Sequence, residues 1–453
     1  MVHFFSYNHK GRDYHFIWDV ESGSLHNVDR DAFLVGKHLY STLDEAEERE
    51  FALMDNSLVS EITGELRELE AHGFLMSKPL TYQDHKQIGE IKALCLLVCN
   101  DCNLRCKYCF ADEGTYHTCR SYMSLEVGKA AIDFLIAHSG KRHSLEVDFF
   151  GGEPLMNFDV CKGVVEYARE REKDCGKKFS FTMTTNCVLL DDKKIEYLNR
   201  EMDNVVLSID GRKDVHNRVR KTVNGNDAYD FILNNAKKFR SVRGNRTYYV
   251  RSTFTHYNLD FVNDILFLND QGFDQISMEP VVLPETSDMA ITKQDLPIIM
   301  KEYERLASEY IERRKTDKWF NFFHFMNDLD NGPCIKKRLT GCGAGCEYLS
   351  ISPNGDIYPC HQFAEESDYY MGNVTKDDFD LKVSEIFSKN IVTRKDSCKD
   401  CFAKYYCSGG CTANNMHFNG SMDKPYEISC EMMRKRLELS LAINAIERSE
   451  VDD

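Results

Sequence analysis

The stretch "CLLVCNDCNLRCKYCF", residues 95–110, contains one cysteine spacing twice. Cys95, Cys99 and Cys102 follow C-x3-C-x2-C, and so do Cys102, Cys106 and Cys109. The flanking chain separates the two frames. "IKALCLLV", residues 91–98, is a short, mostly apolar run without a turn former, the pattern of a parallel strand buried on both faces. Side chains four residues apart in a strand stand about 13 Å from each other, too far to share one small metal centre. Asn100, Asp101 and Asn103 are turn formers that end the strand and let the chain curl, so Cys102, Cys106 and Cys109 can converge on one face. Cys95 and Cys99 read instead as buried core cysteines. Three thiolates suit a 4Fe-4S cluster that is one protein ligand short of its usual set, leaving one iron open to a small molecule.

Composition agrees with an intracellular metalloprotein. The chain of 453 residues is 42% hydrophobic, ordinary for a soluble protein of two or three domains. Lys+Arg 57 against Asp+Glu 73 gives a net charge of -16, and no basic patch stands out, which argues against nucleic acid as a partner. The N-terminus "MVHFFSYNHKGRDYHF" is too polar for a secretory signal, and no apolar run approaches a membrane span. The expected address is cytoplasmic, with no membrane partner. In that reducing compartment 18 cysteines point to metal ligands rather than a disulfide framework.

Cys102-x3-Cys106-x2-Cys109, with Tyr108 just before the last cysteine, resembles the cluster loop of radical SAM enzymes, whose open iron chelates S-adenosylmethionine (SAM). Further stretches follow in the family's order. "VDFFGGEP", residues 147–154, places Gly151, Gly152, Glu153 and Pro154 after an apolar strand, as in the segment that binds the SAM amino group. Two glycines let backbone carbonyls approach a ligand, and Glu153 can pair with an ammonium. "FTMTTNC" (181–187) and "VVLSIDG" (205–211) read as the next strands, with Asn186, Ser208 and Asp210 at their carboxyl ends; with Arg220 they match the family's ribose and carboxylate contacts. Each stretch alone reads as a strand ending in a turn; their order carries the resemblance. From residue 91 to 285 apolar strands alternate with amphipathic stretches, a repeated βα pattern that predicts a parallel sheet covered by helices. The family counterpart is a partial (β/α)6 barrel with its chemistry at the strands' carboxyl ends. "YYVRSTFTHYN" and "QISMEPVV" would close the set. Residues 286–333, with "LPIIMKEYERLASEYIERR", read as a helical connector without chemistry.

Residues 334–453 carry a second cysteine group: C-x12-G-x4-C from Cys342 through Gly355 to Cys360, then C-x2-C-x5-C-x3-C over Cys398, Cys401, Cys407 and Cys411, then Cys430. C-x2-C pairs also bind zinc. The full pattern resembles the SPASM domain, which holds two auxiliary 4Fe-4S clusters. The resemblance implies Cys342, Cys360 and Cys411 for the first and Cys398, Cys401, Cys407 and Cys430 for the second. The first cluster's fourth ligand stays open between Cys346, Cys334 and a substrate thiolate. The chain would then hold three 4Fe-4S clusters.

Residues 1–85 hold no cysteine. "VHFFSYNHKGRDYHFIWDVESGSLHNVD" reads as short strands broken by "NHKGRD" and "ESGS", and "DAFLVGKHLY" and "NSLVSEITGELRELEAHGFLM" read as helices. Strands followed by three helices resemble the winged-helix-like precursor recognition element of peptide-modifying enzymes, which binds a leader peptide as an added strand. A structural cap or a DNA-binding winged helix is the competing reading. The whole chain resembles the SCIFF-type maturases, which build thioether crosslinks in cysteine-rich peptides as sactipeptide or ranthipeptide synthases. That resemblance implies SAM cleavage to a 5'-deoxyadenosyl radical, hydrogen abstraction from a precursor peptide with a leader and a cysteine-rich core, and bonding of a cysteine sulfur to carbon. The surplus electron would leave through the auxiliary clusters, and flavodoxin or ferredoxin would be the reductant. A sulfatase-maturase-like enzyme forming formylglycine, a carbon-carbon crosslinking maturase and a non-catalytic scaffold are the alternatives. In the sulfatase group an aspartate follows the cysteine matched by Cys360, where this chain has His361.

Overall fold

The computed structural model describes residues 1–79, 88–329 and 339–452. Its centre is a parallel sheet of β4 (Ala93–Cys99), β6 (Ser144–Gly151), β7 (Lys178–Thr185), β8 (Asn204–Ser208), β10 (Tyr248–Phe254) and β11 (Gln275–Pro280), neighbours in that order. Every residue of β4 is buried, whereas β6 and β7 alternate. Leu145, Val147 and Phe149, and likewise Phe179, Phe181 and Met183, face the helices, and the intervening residues face the interior. α4 (Leu125–His138), α5 (Phe158–Cys175), α6 (Asp192–Glu201), α7 (Lys213–Val219), α8 (Tyr229–Arg243) and α9 (Val262–Asp270) run between strands. Ser124 caps α4 by accepting from the Val127 amide, and α5 stops at Gly176 in the left-handed region.

This is the expected α/β architecture, extended by elements the six-strand reading omits. α10 (Leu296–Arg314) fills the connector, and β12 (Asn321–Phe322) joins β11 in parallel. At the opposite edge β13 (Tyr348–Ile351), from the C-terminal third, pairs in parallel with β4, and β14 (Ile357–Tyr358) pairs antiparallel with β13. A ribbon of β5 (Leu104–Cys106) and β9 (Arg220–Thr222) stands apart from the sheet. The C-terminal helix, Glu427–Asp452, lies along α10, with Lys435 on Glu304 (2.5 Å) and Arg314 on Glu447 (2.8 Å). Among the described residues no helix is long and apolar enough to cross a membrane.

The N-terminal module comprises the antiparallel strands β1 (Val2–His9), β2 (Arg12–Asp19) and β3 (Leu25–Val28), then α1 (Arg30–Tyr40), α2 (Glu45–Ala52) and α3 (Asn56–Ala71). Lys10 (φ 51) and Gly11 (φ 84) form the two-residue hairpin turn that requires left-handed backbone twice. Ile17 packs with Val35, Ile62 and Leu66 of the module's own helices, while Phe16 and Trp18 join the main core. That second face is docked: His3 stacks on Phe402 (3.6 Å), the Tyr7 hydroxyl donates to the Glu304 carbonyl (3.2 Å), and Glu21 accepts from Lys404 (2.7 Å) and Tyr405 (2.6 Å). The side chains of Glu21 and Lys404 are 1% and 10% exposed. Glu21→Ala would strand a buried ammonium, and urea unfolding should show a loss of about 3–5 kcal/mol, with a smaller loss for Glu21→Gln.

Candidate active site

The cluster loop leaves β4 with a register shift between Leu97 and Cys99 against β6. The two cysteine frames part here. Cys95 packs with Leu97, Tyr116 and Tyr358. The Cys99 thiol is buried and donates to the Glu153 carbonyl (3.0 Å), and burial pushes its pKa up to about 12. Cys102, Cys106 and Cys109 instead line one cavity of about 910 Å³. Burial pushes all three thiols up, Cys106 to about 11, and charge on Cys109 adds to the shifts of both Cys102 and Cys106. Neutral thiols at this spacing become thiolates when iron replaces the proton.

The loop is held in place by the ends of its neighbours. Cys106 lies opposite Arg220 in the β5–β9 ribbon, and the Lys107 amide donates to the Val219 carbonyl (2.9 Å). The amides of Gly152 and Glu153 donate to the carbonyls of Cys99 and Asp101, both at 2.9 Å. The approach is so close that a Cβ on Gly151 (φ 125) would sit 2.4 Å from the Cys99 oxygen, and one on Gly152 would sit 1.9 Å from the Asp101 oxygen. The two glycines thus let the end of β6 abut the cluster loop, beside any contact they offer a ligand.

Glu153 was expected to face an ammonium. Its carboxylate accepts from the Leu155 amide (3.1 Å), the Thr185 hydroxyl (2.8 Å) and the Asn186 amide (2.7 Å), tying β6 to the end of β7. Burial pushes this carboxyl up to about 7 against those donors. Pro154 is buried at the start of a short 3-10 turn and does not line the cavity. Asn186 and Ser208 do line it, and Asn186 donates to Asn103 of the cluster loop (2.7 Å).

Asp210 differs from its expected role. It is fully buried and off the cavity wall, accepting from Arg220 Nε (2.8 Å) and Nη2 (3.1 Å) and from the Tyr108 hydroxyl (2.5 Å). Burial alone would raise the Asp210 carboxyl, but Arg220 outweighs it and holds it below the ordinary range. Arg220 and Tyr108 both face the cavity, the guanidinium 5.4 Å over the ring. Asp210 lies two residues past the end of β8, where the chain has left the strand, and its carboxylate is spent on holding Arg220 and Tyr108 at the cavity wall instead of facing the cavity itself.

In the C-terminal third, Cys342 and Cys411 add to the upward shift of Cys360, which burial takes to about 12. Cys346 is fully buried with its thiol toward the Ser384 carbonyl (3.6 Å), and Cys334 lies outside the described residues. Cys398, Cys401, Cys407 and Cys430 line a second cavity of about 640 Å³, where burial and the other three thiols push Cys430 up to about 12. Cys407, Cys411 and Cys430 also line the main cavity. Among the described residues no three His, Cys, Asp or Glu side chains are placed to hold one metal ion; a 4Fe-4S cube spreads its thiolates wider than a zinc ion does.

His361 lies on the wall between Phe110 (5.6 Å) and Phe150 (5.0 Å), and burial with Arg251 pushes its pKa down to about 4. Arg251, Glu279 and Arg436 line the same cavity, and His324 pairs with Glu279 (3.2 Å). No motif announces these four, which come from β10, β11, a turn after β12 and the C-terminal helix. The available signal was "YYVRSTF", where an arginine occupies the face opposite the apolar positions.

Two family models match the sequence: the Radical SAM superfamily over residues 96–268 and SPASM, an iron-sulfur cluster-binding domain, over residues 342–402. The chain is therefore built from a radical SAM domain and a SPASM domain, which imply 4Fe-4S clusters and SAM as cofactors. It is 26% identical over 447 residues to the radical SAM cyclopropyl synthase TigE of Paramaledivibacter caminithermalis, covering 89% of this chain and 86% of that protein. It is 23% identical over 389 residues to the cysteine-type anaerobic sulfatase-maturating enzyme of Clostridium novyi, covering 78% and 96%. Its fold matches native anSMEcpe with bound AdoMet and Cp18Cys peptide at TM-score 0.65 and 19% identity, covering 80% of this chain and 99% of that one. Streptococcus suis SuiB bound to precursor peptide SuiA matches at TM-score 0.55 and 17% identity, covering 91% and 96%.

Proposed function

We propose that this chain is a SCIFF-type maturase that closes thioether crosslinks in a ribosomally made, cysteine-rich precursor peptide. The observation that carries this reading is one cavity lined both by Cys102, Cys106 and Cys109 and by Cys407, Cys411 and Cys430. A peptide in it lies between two groups of cluster-binding cysteines. When bound, the cluster and SAM would supply the radical that takes a hydrogen from peptide carbon. Cys102, Cys106 and Cys109 would hold that cluster. The cradle fits a small zwitterion: glycine backbone at β6, Asn186 and Ser208 along one wall, and Arg220, fixed by Asp210, for a carboxylate. The apolar walls around Phe150 and Val281 exclude water from the reacting carbon.

The seven SPASM-pattern cysteines would hold two auxiliary clusters, making three in all. The N-terminal module, with β3 at the edge of its sheet, would add the leader peptide as a further strand. SuiB holding the precursor peptide SuiA in a matching fold supports a peptide partner. A flavodoxin or ferredoxin would supply electrons. A carbon-carbon bond-forming maturase is the second reading, favoured by the relative named a cyclopropyl synthase.

Mass spectrometry separates them. A short cysteine-rich peptide, sought among the open reading frames next to the gene, is incubated anaerobically with reconstituted enzyme, SAM and reductant, then alkylated. Loss of two hydrogens and one alkylatable thiol per event is the expected result. Deoxyadenosine formation with every thiol still alkylated replaces the thioether reading with the carbon-carbon one.

A further inference from the structure

One part of the main cavity is lined by residues given no part in cofactor binding above. On β10, Val250, Ser252 and Phe254 are buried toward the helices, so Arg251 and Thr253 face the interior and line the cavity. In register, Arg251 stands beside Ser208 on one side and Ser277 on the other, and Thr253 beside Glu279. Arg436 reaches the same space from the C-terminal helix. Its residue is only 8% exposed, yet Nε and Nη1 have no hydrogen-bond partner among the described residues. Glu279 is nearest, at 3.7 Å from Nη1, and Nη2 meets only the Met433 sulfur at 4.0 Å. The Arg251 carbonyl accepts from the Ile209 amide (3.1 Å), but its guanidinium makes no ion pair or hydrogen bond among the described residues.

The charges here do not cancel. Arg220 is balanced by Asp210 and Glu113 by Arg105 (2.8 Å). Burial and Arg436 push His324 down, against the pull of Glu279, with which it pairs. Burial would raise Glu279, but His324, Arg436 and Arg251 outweigh it and keep it ionised. One carboxylate therefore faces two guanidiniums, a local cationic excess inside a chain of net charge -16. An unsatisfied buried guanidinium is costly, and its planar fork fits a carboxylate.

We propose that Arg251 and Arg436 form a clamp for an Asp or Glu side chain of the substrate peptide, setting which residue lies at the reacting position. This rests on the peptide-maturase reading and deepens it to a substrate class. Arg251 is placed for the task because it lies next to Ser208 in register and faces the same cavity as both cysteine groups. A carboxylate held there anchors the chain between the two cysteine groups.

The test uses reconstituted holoenzyme with SAM and no reductant. Fluorescent synthetic peptides carry one Cys and one Asp at varied spacings, each paired with an Asn counterpart, and binding is read by anisotropy. At one or more spacings the Asp peptide should bind about tenfold tighter. Arg251→Gln should shrink that preference to about twofold or less while Arg251→Lys keeps part of it. Arg251 is exposed to the cavity, so the variant leaves the core intact; Arg436→Gln repeats the measurement from the other side. Equal binding of Asp and Asn peptides at every spacing, binding of neither, or a preference that survives both Gln variants overturns the clamp. Loss of SAM binding in Arg251→Gln, measured by equilibrium dialysis, also overturns it by assigning that arginine to SAM. Deoxyadenosine release by the wild type on reduction is read separately: its absence sinks the maturase reading, while the peptide comparison still decides the clamp.

Discussion

Iron incorporation into Gly152→Ala is expected to collapse, with deoxyadenosine formation down by about a hundredfold or more. A Cβ at this position would sit 1.9 Å from the Asp101 carbonyl oxygen, a backbone atom that no side-chain rotation can move. The end of β6 and the cluster loop must then part, and Cys102, the next residue, moves with the loop. Overpacking of this kind also costs about 1–3 kcal/mol of stability. Iron and sulfide per chain after reconstitution, with the visible absorbance of the cluster, give the readout. Gly64→Ala, on the exposed side of α3 with open space around it, is the control and should keep full iron content. If Gly152→Ala loads iron normally, the close abutment of loop and strand is not what holds the cluster ligands.

The second large effect belongs to Asp210. Removing it by Asp210→Ala leaves Arg220 buried without its bidentate partner and should cost about 3–5 kcal/mol in urea unfolding. SAM affinity should fall with it, since Arg220 loses the group that aims it. Asp210→Asn, which keeps one accepting oxygen for the guanidinium, should lose less of both. The sign of the pH dependence follows from the depressed carboxyl. Its stabilisation is complete above the ordinary carboxylate range and is lost as the pH falls through the lowered value, so wild type and Asp210→Ala should converge only in acid.

Much of this was legible in the chain because it depends on local pattern. The six central strands are apolar runs or clean alternations, and the periodicity of "LPIIMKEYERLASEYIERR" coincides with α10. Lys10-Gly11 announced its turn, and the turn formers after β4 separated Cys99 from Cys102. What stayed hidden depends on contacts between distant segments. The β5–β9 ribbon uses three-residue strands with no period to detect. Asp210 sits in a motif with Ser208, and only the fold turns one to the cavity and the other beneath it. Arg251 and Arg436 meet one cavity from the middle of the chain and from its last helix, so no spacing could pair them.

The parallel pairing of β13 with β4 has a consequence for how the protein is made. β4 is the first barrel strand to leave the ribosome, yet one of its two edges is filled by a strand near the other end of the chain. Until that late segment emerges, an entirely apolar strand and the cysteine loop behind it have an unsatisfied border, and such long-range pairings form slowly. The nascent enzyme must therefore be shielded from self-association through most of its synthesis, and the barrel cannot be completed before the C-terminal third has been translated.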